Sequence, residues 1–144
     1  MMTITKRYSN LKAAHRNWRH DGHCAKVHGE NWTFDITFEA RELDNCGFVI
    51  DFGKLEPLRM WLNLVFDHVV IVEKDDPSLE LFKSLDKNNI MRISIVPATS
   101  AEGLASFVLS EADRIVRQLT DFRVKATKVV CFEDEKNSAC VTAV

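Results

Sequence analysis

Hydrophobic and polar residues alternate most regularly between positions 32 and 41. The apolar members of this alternation are Trp32, Phe34, Ile36, Phe38 and Ala40. A period of two residues predicts a β-strand with one buried face and one solvated face. Continued backwards, the buried face also carries His28 and Glu30. Residues 3–9 form a shorter and weaker strand candidate, and together the two segments predict a long antiparallel pair.

Two helices are predicted from apolar residues that recur every three or four positions. The first spans residues 54–66, where Asp51 could cap it and Pro57 is awkward unless the regular turns begin near it. The second begins near Thr99 and Glu102, which have the spacing of a capping box. Its apolar face comprises Leu104, Phe107, Val108, Ala112, Ile115, Val116 and Leu119.

The C-terminal part predicts a hairpin, with strands at 123–133 and 138–143 around a polar turn. The short, mainly apolar stretch at residues 91–97 is a candidate for one more strand. The order of strand, strand, helix, helix, strand and strand is typical of the α+β class. We therefore expect one domain over residues 1–144, with an antiparallel four-stranded sheet and two helices on one face. Edge strands of so small a sheet need protection, and oligomerisation by edge pairing would supply it.

Composition narrows the function. A chain of 144 residues with 46% hydrophobic and 28% charged residues is typical of a globular protein. The net charge of -2 lacks the basic excess expected of a protein that binds nucleic acid or an anionic membrane. We find no apolar stretch long enough for a transmembrane helix and no signal peptide, so we expect a cytoplasmic protein. The four cysteines are then expected to be reduced thiols.

His28 and Glu30 are the first candidates for chemistry. Residues i and i+2 of a strand point to the same side, and imidazole and carboxylate are both zinc ligands. His15, from the preceding strand or loop, is a candidate third ligand. The alternative is that His28 and Glu30 are polar residues at the point where the strand emerges into solvent.

Cys24, Asp67 and His68 are candidates for proton transfer. A thiol beside a metal has a lowered pKa, and its thiolate can act as a base, although a buried inert cysteine is the alternative for Cys24. The carboxylate of Asp67 could orient His68 in a proton relay. The alternative for His68 is a helix-terminal histidine stabilised by the helix dipole.

Glu133 lies at the end of a predicted strand. Its carboxylate could accept two hydrogen bonds from the N–H edge of a guanine or a pterin. An ordinary acidic residue of the hairpin turn is the alternative.

These motifs, taken in order, resemble the 6-pyruvoyl-tetrahydropterin synthase and 6-carboxy-tetrahydropterin synthase family. The family's C-x-x-x-H-G-H-N-aromatic signature matches residues 24–32 except at Glu30, where the family has histidine. The other matches are A-A-H at 13–15, G-x-V-x-D-F at 47–52, D-H at 67–68, a helix start similar to P-T-x-E-x-x-A at 99–105, and the late strand glutamate at 133.

The resemblance implies a tunnelling fold. In that family, strands from three subunits close a twelve-stranded β-barrel, and two trimers stack into a hexamer. We therefore expect a homo-oligomer in which the β-barrel forms only on oligomerisation.

The resemblance also implies roles for individual residues. One Zn²⁺ per subunit would be bound by His15, by His28 and by Glu30, which stands at the position of the family's third histidine ligand. Cys24 would be the catalytic base, with Asp67 and His68 as its proton relay. Glu133 would anchor the pterin, and the helix-start residues Thr99 and Ser100 would lie near it.

The implied activity is that of a zinc-dependent lyase that converts 7,8-dihydroneopterin triphosphate to 6-carboxy-5,6,7,8-tetrahydropterin, with acetaldehyde and triphosphate, in queuosine and 7-deazaguanine biosynthesis. A 6-pyruvoyl-tetrahydropterin synthase is one alternative, and a noncatalytic pterin- or purine-binding paralogue is another. Glu30 is the main departure from the family, because a carboxylate is a harder and more negative donor than imidazole. It could favour another divalent metal or a changed substrate. His20 and His23 could replace the missing imidazole, or they could be exposed loop residues.

Overall fold

The computed structural model describes every residue from Met1 to Val144 and confirms the α+β class. The strands are β1 (Met2–His15), β2 (His28–Ala40), β3 (Val69–Glu73), β4 (Ile93–Val96), β5 (Val124–Phe132) and β6 (Ser138–Thr142). The helices are α1 (Glu56–Phe66), α2 (Leu79–Lys87) and α3 (Ala101–Leu119), with short 3₁₀ turns at His23–Ala25 and Phe52–Leu55. None of the helices is long and apolar enough to cross a membrane.

The expectation of an antiparallel four-stranded sheet with two helices is corrected. The strands form one six-stranded sheet in the order β4-β3-β1-β2-β5-β6, and β3 runs parallel to both of its neighbours. The candidate strand at 91–97 is confirmed as β4, whereas β3 and α2 were not predicted. β3 escapes the search for alternation because Ile71 and Val72 are both buried although they point to opposite faces. α2 buries Phe82 alone, which leaves little apolar periodicity to detect.

β1 is twice as long as the predicted strand because a β-bulge interrupts its alternation. Tyr8 pairs with Phe34 and Leu11 pairs with Trp32, so β1 uses one residue more than β2 between these two pairs. Asn10, within the bulge, has a left-handed φ of 59°, which asparagine tolerates better than most residues. The extra residue changes which positions of β1 face the core. It thereby places His15 on the same face as Trp32.

The main core lies between one face of the sheet and the two helices α1 and α3. The buried side chains of β2 are those that the alternation predicts: Trp32, Phe34, Ile36, Phe38 and Ala40. Phe34 contacts Phe66 of α1 with ring centroids 4.9 Å apart. The opposite face of β2 is polar and carries the Arg7–Asp35 ion pair at 2.7 Å. At one end of the core face, where β1 ends and β2 begins, the apolar side chains give way to His15 and His28.

The start of α3 differs from the predicted capping box. Ser100 is the N-cap, and its hydroxyl accepts a hydrogen bond from the Gly103 amide at 3.1 Å. Thr99 is buried instead, and its hydroxyl donates to the Arg16 carbonyl at 2.8 Å. A Cβ at Gly103 would lie 2.4 Å from the Ala98 side chain, so glycine permits this close approach. The turn that precedes α3 is thus tied to the end of β1.

The start of α1 explains the awkward proline. Asp51 caps the 3₁₀ turn Phe52–Leu55, with its carboxylate accepting from the Gly53 amide at 2.9 Å, and α1 itself begins at Glu56. Pro57 therefore lies in the first turn of the helix, where its missing N–H costs no hydrogen bond.

Candidate metal centre and its cleft

Three potential metal ligands meet where β1 ends and β2 begins. His15 and His28 are paired across the two strands, and their ring centroids are 4.6 Å apart. Glu30 lies two residues further along β2 on the same face. One ligand atom from each of the three residues lies within 4.8 Å of those of the other two. The local cause is the strand pairing, together with the bulge that turns His15 to this face.

Backbone carbonyls orient both imidazole rings. His15 Nδ1 lies 2.8 Å from the Thr99 carbonyl oxygen, and His28 Nδ1 lies 2.7 Å from the Lys26 carbonyl oxygen. A carbonyl only accepts hydrogen bonds, so each Nδ1 carries the proton and each Nε2 keeps its lone pair. This is the arrangement by which carbonyls orient histidine ligands of metals.

His15 Nε2 shows that the centre fits a cation. This nitrogen is buried and has no hydrogen-bond partner, and His15 as a whole is only 3% exposed. Its nearest acidic neighbour is Glu133, whose carboxylate oxygen is 3.6 Å away, and His28 Nε2 is 3.4 Å from Glu30. An unsatisfied buried polar atom costs about 1–3 kcal/mol, which a bound cation would relieve. Two imidazole nitrogens and one carboxylate suit Zn²⁺ with an open coordination position.

The protonation preferences agree with such a site. Burial lowers the pKa of His15, and the charge of His28 lowers it further, against the hydrogen bond to Thr99, which raises it. Burial raises the pKa of Glu30, with Glu133 as the next cause, and burial followed by Asp134 raises the pKa of Glu133. The centre therefore combines a neutral imidazole with crowded carboxylates, and a divalent cation would stabilise their ionised form.

A cleft of about 210 Å³ opens beside the two histidines. It brings together four further residues that the sequence proposed for the site: Cys24, Thr99, Ser100 and Glu133. Cys24 is half-buried in the short 3₁₀ turn before β2. Their convergence is a finding, whereas their catalytic and binding roles stay predictions.

Glu133 is directed into this cleft from the hairpin between β5 and β6. Its amide donates to the Asn137 carbonyl at 3.1 Å, and Asp134 accepts the turn amides, which leaves the Glu133 carboxylate without a hydrogen-bond partner. A free carboxylate in this position can accept a pair of N–H groups from a ligand.

Asp67 and His68 do not line the cleft of their own chain. Asp67 accepts from the Lys12 amide at 3.1 Å and contacts His68 Nδ1 at 3.0 Å. The His68 amide donates to the Lys12 carbonyl, and its side chain is 79% exposed. The carboxylate–imidazole contact exists, but it lies three residues along β1 from His15 and is open to solvent.

His20 and His23 do not join the group of metal ligands. His20 lines the cleft, where its Nδ1 accepts from the Gly22 amide at 2.8 Å, and His23 is exposed. The cleft is also lined by five residues to which the sequence analysis gave no role in the site, namely Asn17, Ala101, Glu102, Asn137 and Ser138. They come from three separate parts of the chain, and only Glu102 belongs to a pattern that the sequence shows, the capping box at the start of the second predicted helix.

The fold and site together define a small α+β domain with two histidines and a glutamate that could hold a metal, beside a cleft that also contains a thiol. Residues 3–143 match the sequence model of the family described as 6-pyruvoyl tetrahydropterin synthase, and the chain belongs to that family.

Sequence relatives of this chain carry the name 6-carboxy-5,6,7,8-tetrahydropterin synthase, among them proteins from Rickettsia typhi and Bacillus subtilis. The protein from Rickettsia typhi is 35% identical over 80 residues, which is 55% of this chain and 57% of the relative. The protein from Bacillus subtilis is 27% identical over 100 residues, which is 69% of this chain and 63% of the relative. The matched segment thus spans less than two thirds of either relative.

Solved structures share the fold over nearly the whole chain. An uncharacterized protein from Wolinella succinogenes superposes with a TM-score of 0.84 at 21% identity, covering 99% of this chain and 98% of that one. The 6-pyruvoyl tetrahydropterin synthase of Plasmodium vivax superposes with a TM-score of 0.69 at 15% identity, covering 99% of both chains.

Proposed function

We propose that this protein is a zinc-dependent lyase that converts 7,8-dihydroneopterin triphosphate to 6-carboxy-5,6,7,8-tetrahydropterin. The observation that carries the proposal is the unsatisfied Nε2 of His15, which lies near His28 and Glu30 beside a cleft that Cys24 also lines. The names of the sequence relatives favour a carboxy product over a pyruvoyl product. On this proposal the protein acts in the cytoplasm in queuosine biosynthesis.

The metal would be held by His15, His28 and Glu30. When bound, it would supply Lewis acidity toward the hydroxyl groups of the substrate side chain. The carbonyls of Thr99 and Lys26 would keep both rings in the ligating tautomer. Glu30 supplies a hard oxygen donor at the third position, so another divalent ion could also bind there.

The chain's own groups that line the cleft would divide the remaining work. Cys24 would take a proton from the substrate side chain near the metal. Glu133 would accept the N–H groups of the pterin ring, with Thr99 and Ser100 beside it. Since the thiol and the anchor belong to different loops, the substrate would bridge the two loops.

We further propose that the active form is a hexamer built as a dimer of trimers. The cleft of one chain is smaller than the range of about 300–1,000 Å³ common for small-molecule sites, which favours completion by a neighbouring subunit. Only residues 13–15 of β1 pair with β3, so the earlier part of β1 has a free edge for another chain. Exposed Phe48 and Phe52 lie near this edge, around an apolar cavity that also contains Met2.

The same assembly would give Asp67 and His68 a role. Neither residue lines the cleft of its own chain, and the His68 side chain is 79% exposed, which favours a role toward another chain. Contact with the cleft of a neighbouring subunit would restore the relay that the sequence suggests.

A product assay tests the proposed activity. Zinc-loaded protein would be supplied with 7,8-dihydroneopterin triphosphate, and acetaldehyde, triphosphate and the pterin would be measured. The proposal requires release of acetaldehyde together with triphosphate. Triphosphate without acetaldehyde would indicate the pyruvoyl reaction, and pterin binding without turnover by the zinc-loaded protein would indicate a noncatalytic paralogue.

A further inference from the structure

The loop that connects β1 to β2 carries Cys24 and is flanked by two metal ligands. His15 ends the strand before it, and His28 begins the strand after it. Only the 3₁₀ turn His23–Ala25 gives the loop regular structure. The position of the thiol therefore depends on contacts that the loop makes with other elements.

Asp76 and Arg16 make the strongest of these contacts. Asp76 lies between β3 and α2, its side chain is only 1% exposed, and both of its oxygens bind Arg16, at 2.6 and 2.9 Å. The Ser78 amide donates a further hydrogen bond to it at 2.8 Å. The Arg16 guanidinium also reaches the carbonyl of Ala25, the residue after Cys24, at 3.3 Å. One arginine thus joins a fixed, buried carboxylate to the segment that bears the thiol.

Arg16 is also connected to the metal centre. Its carbonyl accepts the hydroxyl of Thr99 at 2.8 Å, and the Thr99 carbonyl orients His15. The guanidinium lies 5.8 Å from the ring centroid of Phe82, which holds it on the α2 side. Arg16 therefore lies between the support of a metal ligand and the support of the thiol.

A second carboxylate from the same part of the chain holds the first half of the loop. Glu73, with an 8% exposed side chain, accepts from Arg19 and from the Trp18 indole, both at 2.7 Å. Asn17 closes the loop on itself, since its amide donates to the Cys24 carbonyl at 2.8 Å. An ion pair with a buried carboxylate brings little net stability compared with an apolar contact of similar size, although removal of one partner is costly. The two pairs are therefore better explained by the geometry that they impose on the loop.

We propose that Arg16 and Asp76 are positioning residues, whose ion pair holds the Cys24 thiol in place against the metal ligands. The role in turnover rests on the proposed lyase function, whereas the effect on the thiol does not. Loss of the pair would impair proton transfer at the thiol and leave zinc binding intact. A displacement of about 1 Å at a reacting group can cost about a hundredfold in rate, so the effect should be large.

The test measures alkylation of zinc-loaded protein by iodoacetamide, resolved by mass spectrometry of each cysteine peptide. Exposed Cys46 and Cys140 serve as reference thiols in the same molecule. The test variant is Asp76→Asn. The matched control is Asp113→Asn, because Asp113 also binds one arginine, Arg117 at 2.7 Å, and one backbone amide.

In Asp76→Asn the alkylation rate of Cys24 relative to Cys46, compared at a pH high enough to ionise both thiols, should rise by about tenfold, because the loop is released and the half-buried thiol gains access. In Asp113→Asn the ratio should equal that of the wild type. Both variants should bind zinc with the wild-type stoichiometry. An unchanged ratio in Asp76→Asn, or loss of its zinc, would overturn the positioning role.

Arg16→Lys provides a second variant if Asp76→Asn does not fold. Lysine keeps the positive charge but cannot make the bidentate contact with Asp76. This variant should therefore also raise the alkylation rate of Cys24 relative to Cys46. Where turnover is measurable, both variants should lower kcat with KM unchanged. Absence of turnover in the wild type would overturn the lyase proposal, and the thiol measurement would still decide the positioning role.

Discussion

His15 and His28 face each other across β1 and β2 with their Nδ1 atoms bound to backbone carbonyls and their Nε2 atoms free of hydrogen bonds to protein donors. The two carbonyls fix the same tautomer in both rings, with the proton on Nδ1, without any contribution from a metal. The centre is therefore organised by the backbone of the strand pair and of the turn before α3. Preorganisation of this kind reduces the entropic cost of binding a metal.

Replacement of a ligand histidine should remove the metal. We expect His28→Gln to lose zinc after dialysis against buffer of low free zinc, because two remaining protein ligands are fewer than catalytic zinc sites use. Metal content measured by mass spectrometry is the readout. His23→Gln is the control, since His23 is exposed and outside the ligand group. Equal loss of zinc from both variants would contradict the assignment.

Thr99 should contribute to stability through its hydroxyl as well as to the centre through its carbonyl. Thr99→Val should lower the free energy of unfolding by about 1–3 kcal/mol, because the hydrogen bond to the Arg16 carbonyl is lost in a buried position. Thr99→Ser keeps the hydroxyl and should lose less. Urea denaturation of the two variants measures the difference, and equal losses would contradict a role for the hydroxyl.

The Arg16–Asp76 pair should make stability depend on pH. Its hydrogen bonds from Arg16, the largest cause, lower the pKa of Asp76 below its usual value. A lowered folded pKa means that the stabilisation is complete above the unfolded pKa of about 3.9 and is lost as pH falls through the folded pKa.

The wild type should therefore exceed Asp76→Asn in unfolding free energy by about 3 kcal/mol near neutral pH. The gap should narrow as pH falls below about 4. Denaturation curves at a series of pH values measure it. A gap that stays constant down to the lowest pH at which the protein folds would contradict the ionic origin.

The bulge at Asn10 should be sensitive to side-chain shape. Asn10→Ile should destabilise by about 1–2 kcal/mol, because a β-branched residue is strained at a left-handed φ, whereas Asn10→Gly should be nearly neutral. Thermal denaturation compares the two. Equal melting temperatures would show that the left-handed conformation is not required.

How far the sequence predicts the fold depends on the kind of signal each element carries. β2 is predictable because its alternation continues without interruption from a buried tryptophan to Ala40. β1 is predicted only in part, since the bulge at Asn10 reverses the faces and hides Leu11, Ala13 and His15 from a search for period two. β3 is hidden by burial on both faces. Each failure marks a place where tertiary contacts, and not local periodicity, define the strand.

The site is predictable where its residues share a local motif. His28 and Glu30 follow from strand spacing, and the family resemblance places His15, Cys24 and Glu133 with them. The residues that bind the loop between β1 and β2 are not predictable. Asp76 and Glu73 contact the loop from a segment that is distant in the sequence, and their neighbours in the sequence do not distinguish them from acidic residues of the surface. The separation of Asp67 and His68 from the cleft is likewise a property of the three-dimensional fold.

The coordination of bound zinc tests the central claim most directly. X-ray absorption at the zinc edge of the zinc-loaded protein should show two imidazole nitrogens at about 2.0–2.1 Å and only oxygen in the other positions, because the proposal makes Glu30 the third protein ligand and Cys24 the base. Glu30→Gln should weaken binding without changing the imidazole signal. A sulfur neighbour at about 2.3 Å would make Cys24 a ligand and contradict the account.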